Sequence, residues 1–310
     1  MAAAVRAGVA GEEALSVACR VVTWNLWWRF GDWARRFEAI AAELADVAPD
    51  VVGLQEVWAR GSGSDSVNAA GLLARRLGLH WAWVPSPAPQ RWQRRIGDSS
   101  VAFGNAVLSR WPVAGVAHAD LPAPRDVGMA GEPDGRRVLH AALDTPAGRL
   151  PYFTTQLSAF PGRSALRCAQ VRTIAGFVAA HSPSDALPPV VTGDLNAVAE
   201  SDEVRLLEGF LTEPAVPDLL LVDAWRYAPP GDRGITWSRA NPHADVTGEP
   251  DARIDYVLVG TPRGVGAAQV LRARVAGGAP RAGVWPSDHA AVVADLQLGA
   301  RAHVGPGAAP

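Results

Sequence analysis

The sequence predicts a single α/β domain in which mixed sheets are covered by helices. Three observations predict it. Short runs rich in Val and Ile alternate with stretches of helical periodicity along most of the chain. Hydrophobic residues make up 48% of the 310 and charged residues 19%, enough for a sizeable core and incompatible with wholesale disorder. Length alone allows one large domain or two ordinary ones, but no internal repeat and no clear linker divides this chain.

Residues 1–18 and 299–310 are rich in small residues and are expected to be flexible tails around a domain at 19–298. Residues 20–27 (RVVTWNLW) read as the first strand. Phe37, Ile40, Leu44 and Val47 then recur at helical spacing, and Pro49 stops that helix. Residues 51–57 form a second strand, and a Gly/Ser stretch from Gly61 to Ser66 leads to a short helix with Leu72, Leu73 and Leu77, ended by Gly78. The segment 80–98, with Trp81, Trp83, Trp92 and several prolines, is expected to be a long surface loop. Further strands are expected at 105–109, 137–143, 150–157, 189–192, 254–259 and 291–297, with a helix marked by Val171, Ile174 and Val178.

Bulk properties exclude several classes of function. A net charge of -2 gives no global drive for non-specific nucleic-acid binding, although a local basic groove is compatible with it. All 29 basic residues other than histidine are Arg, a pattern of GC-rich coding rather than of function. Cys19 and Cys168 are too few for a disulfide framework and are expected to be buried thiols. Glu12 and Glu13 interrupt the stretch where a secretory signal needs apolar residues, and no run is long enough to span a membrane. A soluble, cytoplasmic monomer is the default expectation.

Several expected strands end in polar residues that an apolar strand does not favour. Asn25 follows Val21-Val22-Thr23-Trp24, Glu56 follows Val51 to Gln55, and Asp194 and Asn196 follow Val190-Val191-Thr192-Gly193. Asp255 lies within Ile254–Val259, and Asp288 and His289 precede Ala290–Val293. Such groups are costly to bury unless they are paired or hold a cation. A set rich in oxygen suits Mg²⁺ or Mn²⁺ rather than Zn²⁺. No Cys/His spacing suits a structural zinc, and no Lys exists to complete a P-loop. Taken singly, each position has a plainer explanation as a turn, a helix cap or a satisfied core residue.

Taken in order, the set resembles the endonuclease/exonuclease/phosphatase superfamily, whose fold is that of DNase I. The matching segments are Thr23-Trp24-Asn25, Leu54-Gln55-Glu56, Gly104–Arg110, Gly193-Asp194-Leu195-Asn196, Arg253–Val257 and Ser287-Asp288-His289. The resemblance implies a four-layer α/β/β/α sandwich with its site at one edge of the two sheets. It further implies a Mg²⁺- or Mn²⁺-dependent phosphoester hydrolase acting by in-line attack of water on phosphorus. Carried over, Glu56 is the principal metal ligand, with Asn25 and Asp288 in or near its shell. Asp194 deprotonates the attacking water, Asn196 holds that water or a phosphate oxygen, and His289, oriented by Asp255, stabilises the transition state.

One position departs from the family pattern. Thr155-Gln156-Leu157 stands where many members have Thr-His-Leu. An amide can hold a phosphate oxygen but cannot deliver a proton near neutral pH, so Gln156 is expected as a phosphate contact. Arg136 and Arg137 occupy a region where relatives place a phosphate-binding Arg. Adjacent strand residues face opposite ways, and the reading leans to Arg137. Asn241 is expected to bind substrate in a loop that also carries Trp237. Trp92, among Arg91, Arg94 and Arg95, is the best candidate for an exposed aromatic, but a solvated loop with one aromatic anchor is the preferred reading. The substrate class stays open between nucleic acid, phospholipid head group and small phosphoester. The alternative to an enzyme is a catalytically weak relative that binds a phospho-ligand or a protein, supported only by Gln156.

Overall fold

Val21, Val22, Val51, Val52 and Leu54 are fully buried, so their strands must be covered on both faces. These strands, β1 (Val17–Asn25) and β2 (Val51–Arg60), pair in parallel, joined by α1 (Trp33–Val47) as the crossover. The computed structural model describes residues 16–61, 66–123, 135–262 and 266–300. After β2 come β3 (Val67–Asn68), α2 (Ala69–Leu77), β4 (His80–Pro85), α3 (Gln90–Ile96), β5 (Val101–Ser109), β6 (Val113–Asp120) and β7 (Arg137–Thr145). The chain continues through β8 (Gly148–Gln156), α4 (Ser164–Ala180), β9 (Val190–Asp194), α5 (Asp202–Glu208), β10 (Leu221–Asp223) and α6 (Pro242–Asp245). It closes with β11 (Asp255–Gly260), β12 (Gly266–Ala276) and β13 (Ala291–Ala300).

The strands form two sheets. One has the order β12-β13-β1-β2-β5-β4, with β3 added to β2; the other runs β10-β11-β9-β8-β7-β6. Each sheet contains one parallel pair, β1 with β2 and β8 with β9. Three apolar clusters separate four layers. Ile40, Leu44 and Leu73 pack helices on the first sheet. Val107, Leu139, Tyr152 and Val292 fill the space between the sheets. Phe153, Val171, Ile174 and Val204 seat α4 and α5 on the second sheet. The α/β/β/α layering expected from the sequence is the observed one.

Local signals explain most boundaries. The Asp32 side chain caps α1 by accepting the Arg35 N–H, and Ala48 ends it in a left-handed conformation before Pro49. Asn68 caps α2, and Gly78 ends it as expected. The first strand stops at Asn25 rather than at residue 27, because Trp27 and Trp28 both take positive φ, 55° and 42°. Strands reach Val17 and Ala300, slightly into the segments assigned to the tails. Most of the Gly/Ser stretch, 62–65, lies outside the described residues.

The segment 80–98 corrects the expectation of a surface loop. It forms β4, paired with β5, and then α3. Trp92 is 5% exposed and stacks on Phe103, so it is the aromatic anchor of the segment. Cys19 is buried as expected, whereas Cys168 is only half-buried. β6 and β12 were not foreseen; runs such as Val-Ala-Gly-Val-Ala-His-Ala-Asp carry little of the β-branched and aromatic character that marks a strand.

Two glycines set how closely backbones approach beneath the strand ends. A Cβ on Gly53 would overlap Thr192 Oγ1, and one on Gly193 would overlap the Thr155 carbonyl. Gly193 also sits at φ 155°, where an L side chain is strained. Gly193→Ala is expected to cost about 1–3 kcal/mol by overpacking. Urea unfolding checks it, and an unchanged midpoint refutes the close-approach account.

Candidate active site

The carboxyl ends of the two parallel strand pairs meet at one end of the sandwich. Register alone brings the key residues together: Asn25 pairs with Gln55 across β1 and β2, and Gln156 and Asp255 both pair with Asp194. Glu56 needs a further device. A bulge between Leu54 and Val57 interrupts the pairing of β2 with β5, and Glu56 itself takes φ 53°. Gln55 then points between the sheets, where its amide bonds Thr23 Oγ1 at 3.0 Å and Thr154 Oγ1 at 2.8 Å. Glu56 meets the Gln156 amide at 2.8 Å.

Asp194 is the hub of the hydrogen bonding. Its Oδ1 accepts the Asn196 N–H at 2.9 Å, and its Oδ2 accepts from Asn25 Nδ2 at 3.0 Å and Gln156 Nε2 at 3.1 Å. His289 Nδ1 bonds Asp255 Oδ2 at 2.9 Å, which leaves Nε2 3.9 Å from Asp194 Oδ2. Burial pushes Asp194 above the usual carboxylate range; His289 opposes that shift and Asp255 adds to it. For His289, burial alone lowers the pKa, but Asp255, Asp194 and Asp288 together hold it well above the ordinary histidine value. These carboxylates favour the protonated ring, which Asp255 holds through Nδ1.

Ser287 ties the last segment to the first strand. Its Oγ donates to the Asn25 carbonyl at 2.6 Å and accepts the His289 N–H at 3.2 Å. Trp24 Nε1 donates to the His289 carbonyl at 2.9 Å. Asp288 is driven up to about 7, first by burial and then by the nearby Glu56 carboxylate; His289 and Arg36 offset part of the shift. Among the described residues neither Glu56 nor Asp288 has an ion-pair partner. Two buried carboxylates held close without a paired cation suit a hard divalent ion. Asn25 is more committed, since its Oδ1 also accepts the Trp27 N–H at 3.0 Å.

Asn25, Glu56, Asp194, Asn196, Asp288 and His289 all line a groove of about 230 Å³, with the Trp237 ring edge-on to His289 at 4.9 Å. Asp255 lies behind His289. The three expected substrate contacts are placed differently from one another. Gln156 lines the groove, with both amide donors on Glu56 and Asp194 and its oxygen accepting from Arg136, so it braces the carboxylates. Arg136, not Arg137, points inward; Arg137 pairs with Asp120 and donates to the Pro85 carbonyl at 2.6 Å. Asn241 does not reach the groove. It caps α6 through the His243 N–H and donates to the Ser287 carbonyl at 2.8 Å, supporting the Ser-Asp-His turn from behind.

Two supporting residues were missed by the motif reading. Arg36 is buried in α1, donates to the Leu26 and Trp27 carbonyls and lies beneath the Trp27 ring at 4.8 Å. Arg167 is buried against Glu203 at 2.8 Å and donates to the carbonyls of Ser158, Phe160 and Pro161, holding the loop that follows Gln156. Their signal was present in the sequence: each occupies an apolar helix stripe, Arg36 before Ile40 and Leu44, Arg167 before Val171 and Ile174. A buried Arg in such a stripe requires carbonyls or a carboxylate to receive it.

With this geometry in view, comparisons with known proteins agree on one family. The model described as Endonuclease/Exonuclease/phosphatase family matches residues 22–289. No curated protein matches the chain. Among solved structures, an endonuclease/exonuclease/phosphatase from Beutenbergia cavernae is 25% identical, with 91% of this chain and 72% of that one covered and a TM-score of 0.63. The human Nocturnin catalytic domain with bound sulfate is 19% identical, covering 92% of this chain and 97% of that one, TM-score 0.65. D. rerio TDP2 complexed with a single-strand DNA product is 19% identical, covering 90% and 98%, TM-score 0.61. The neighbours share the DNase I-like fold. No helix among the described residues is long and apolar enough to cross a membrane.

Proposed function

This chain belongs to the endonuclease/exonuclease/phosphatase family, and we propose that it hydrolyses phosphoester bonds with a divalent cation and a water activated by Asp194. One observation carries the proposal. Four buried carboxyl groups and one imidazole converge at the strand ends, and they divide into two sets of different chemistry. Glu56 and Asp288 form an oxygen pair without a paired cation; Asp194, Asp255 and His289 form a hydrogen-bonded acid–base system.

Glu56 and Asp288 are the residues that would hold Mg²⁺ or Mn²⁺, with Asn25 beside them. Such an ion supplies polarisation of the phosphoryl group and offsets charge on its oxygens. Asp194, Asp255 and His289 also place ligand atoms within 4.8 Å of one another. In that cluster His289 Nδ1 and Asp255 Oδ2 already engage each other at 2.9 Å, so the triad is better suited to proton transfer than to metal binding.

Asp194 accepts the proton of the attacking water. Asn25 and Gln156 fix its carboxylate by donating to Oδ2, and the Asn196 N–H fixes Oδ1. Asn196 stands at the groove to hold water or a phosphate oxygen. Protonated His289 places its Nε2–H where negative charge grows on the phosphorane, with Asp255 holding the ring. Gln156, the one residue that favours a binding-only protein, hydrogen-bonds Glu56, Asp194 and Arg136, which supports a role in bracing the acids.

Bis-p-nitrophenyl phosphate with Mg²⁺ or Mn²⁺ tests the reading. Hydrolysis is expected to vanish with EDTA and return on adding the cation. Activity indifferent to EDTA refutes it. Nucleic-acid, lipid-head-group and small phosphoesters are the candidate substrate classes, and a panel of plasmid DNA, RNA, sphingomyelin and inositol phosphates discriminates among them.

A further inference from the structure

The helix α3 carries Arg91, Arg94 and Arg95 and no acidic residue. Trp92 anchors it, stacked on Phe103 at 5.3 Å and edge-on to Phe30 at 6.1 Å. Three guanidinium groups converge on that one buried indole: Arg91 at 5.1 Å, Arg95 at 5.5 Å and Arg136 at 5.9 Å. Arg95 also lies over Phe30 at 4.4 Å, and Arg91 over Phe160 at 4.5 Å. A guanidinium stacked on a ring is held in place while its N–H edge stays available to an anion.

Arg91 and Arg95 line the same groove as Glu56, Asp194 and Asp288. The acid that follows α3, Asp98, faces Arg29 and Arg60 instead. Arg95 has no ion pair among the described residues; its contacts are the Phe30 and Trp92 rings. The chain as a whole carries -2, so this concentration of positive charge is local to the groove. Arg136 joins the same lattice to the catalytic acids through Gln156.

We propose that Arg95, displayed on the rings of Phe30 and Trp92, forms a second anion subsite that takes a phosphate adjoining the scissile one. The natural substrate then carries at least two phosphate groups, and an isolated phosphoester occupies only half of the site. This subsite rests on the phosphoester-hydrolase reading for its purpose, but binding reads it out without turnover.

The test measures calorimetric affinity of Asp194→Asn protein for thymidine 3′,5′-bisphosphate and for thymidine 5′-monophosphate. The bisphosphate is expected to bind about tenfold tighter or more, the size of one charge-assisted contact. Adding Arg95→Gln should bring the two affinities within about twofold. Arg95 is exposed, so its replacement leaves the core intact. Equal affinities before the change, or a tenfold preference that survives it, overturns the subsite. A matched pair of inositol mono- and bisphosphates shows whether the second phosphate is read on a nucleoside or a polyol; the same loss on Arg95→Gln is required of whichever pair binds. Failure of the hydrolase reading appears separately, as EDTA-insensitive or absent hydrolysis of bis-p-nitrophenyl phosphate.

Discussion

Asp194→Asn is expected to lower turnover of bis-p-nitrophenyl phosphate by about 10²–10⁴-fold, the range of a positioned general base. An amide keeps the size of the carboxylate but cannot take the water's proton. It also cannot accept on both atoms, so either the Asn196 N–H or the Asn25 and Gln156 amides lose a partner. That loss costs about 1–3 kcal/mol, and a melting curve separates it from lost chemistry. Wild-type protein should show a matching pH profile. Asp194 is shifted upward by burial, so activity falls on the acid side at a pH above the usual carboxylate range. His289 is held well above its ordinary value, so the proton it offers is lost only above the ordinary histidine range. In His289→Gln the alkaline limb should disappear along with most of the rate. A variant at Asp194 that retains wild-type turnover removes the proposed base.

Glu56→Gln should weaken the response to Mg²⁺ by at least about 10–100-fold, since changes to residues merely supporting a ligand already reach that range. The amide oxygen can still accept from Gln156, so the bulge and the hydrogen-bond network are preserved. With one carboxylate gone, Asp288 loses the repulsion that helps hold it near 7 and should ionise at lower pH. Titration of activity against Mg²⁺, paired with calorimetry, measures both affinity and maximal rate. An unchanged half-saturation point would move the cation away from Glu56, towards the Asp194, Asp255 and His289 cluster.

Much of the site was legible because its residues violate the pattern of the strands that carry them. Asn25, Glu56, Asp194 and Asp288 are polar groups at the ends of apolar runs, and burial makes such placement costly without a purpose. Arg136 and Arg137 were not separable on that basis. A strand alternates its faces but does not announce which face meets a partner, and only the hydrogen bond from Arg136 to Gln156 decides it. Asn241 fails for a related reason. Its position in a polar loop resembles that of a substrate contact, but its side chain turns back to cap α6 and hold Ser287. That Trp92 anchors its segment was legible, but local sequence does not reveal that Phe103 and Phe30 are what it packs on.

By itself the sequence determined the layered α/β architecture, the order of the polar strand ends and the kinds of chemistry they permit. The α/β class and the polar strand ends follow from periodicity and burial cost, which act along the chain, while the four layers and the chemistry were implied by the resemblance to the family. Tertiary structure alone decided which groups are free and which are already engaged. Gln156 became a brace between Glu56, Asp194 and Arg136, and Arg91 and Arg95 of α3 became part of the groove wall. The physical reason is that hydrogen bonding and ring stacking depend on distances of a few ångströms between residues remote in sequence. Glu56 shows both sources at once: its chemistry is local, but its aim is set by a bulge that exists only when β2 pairs with β5.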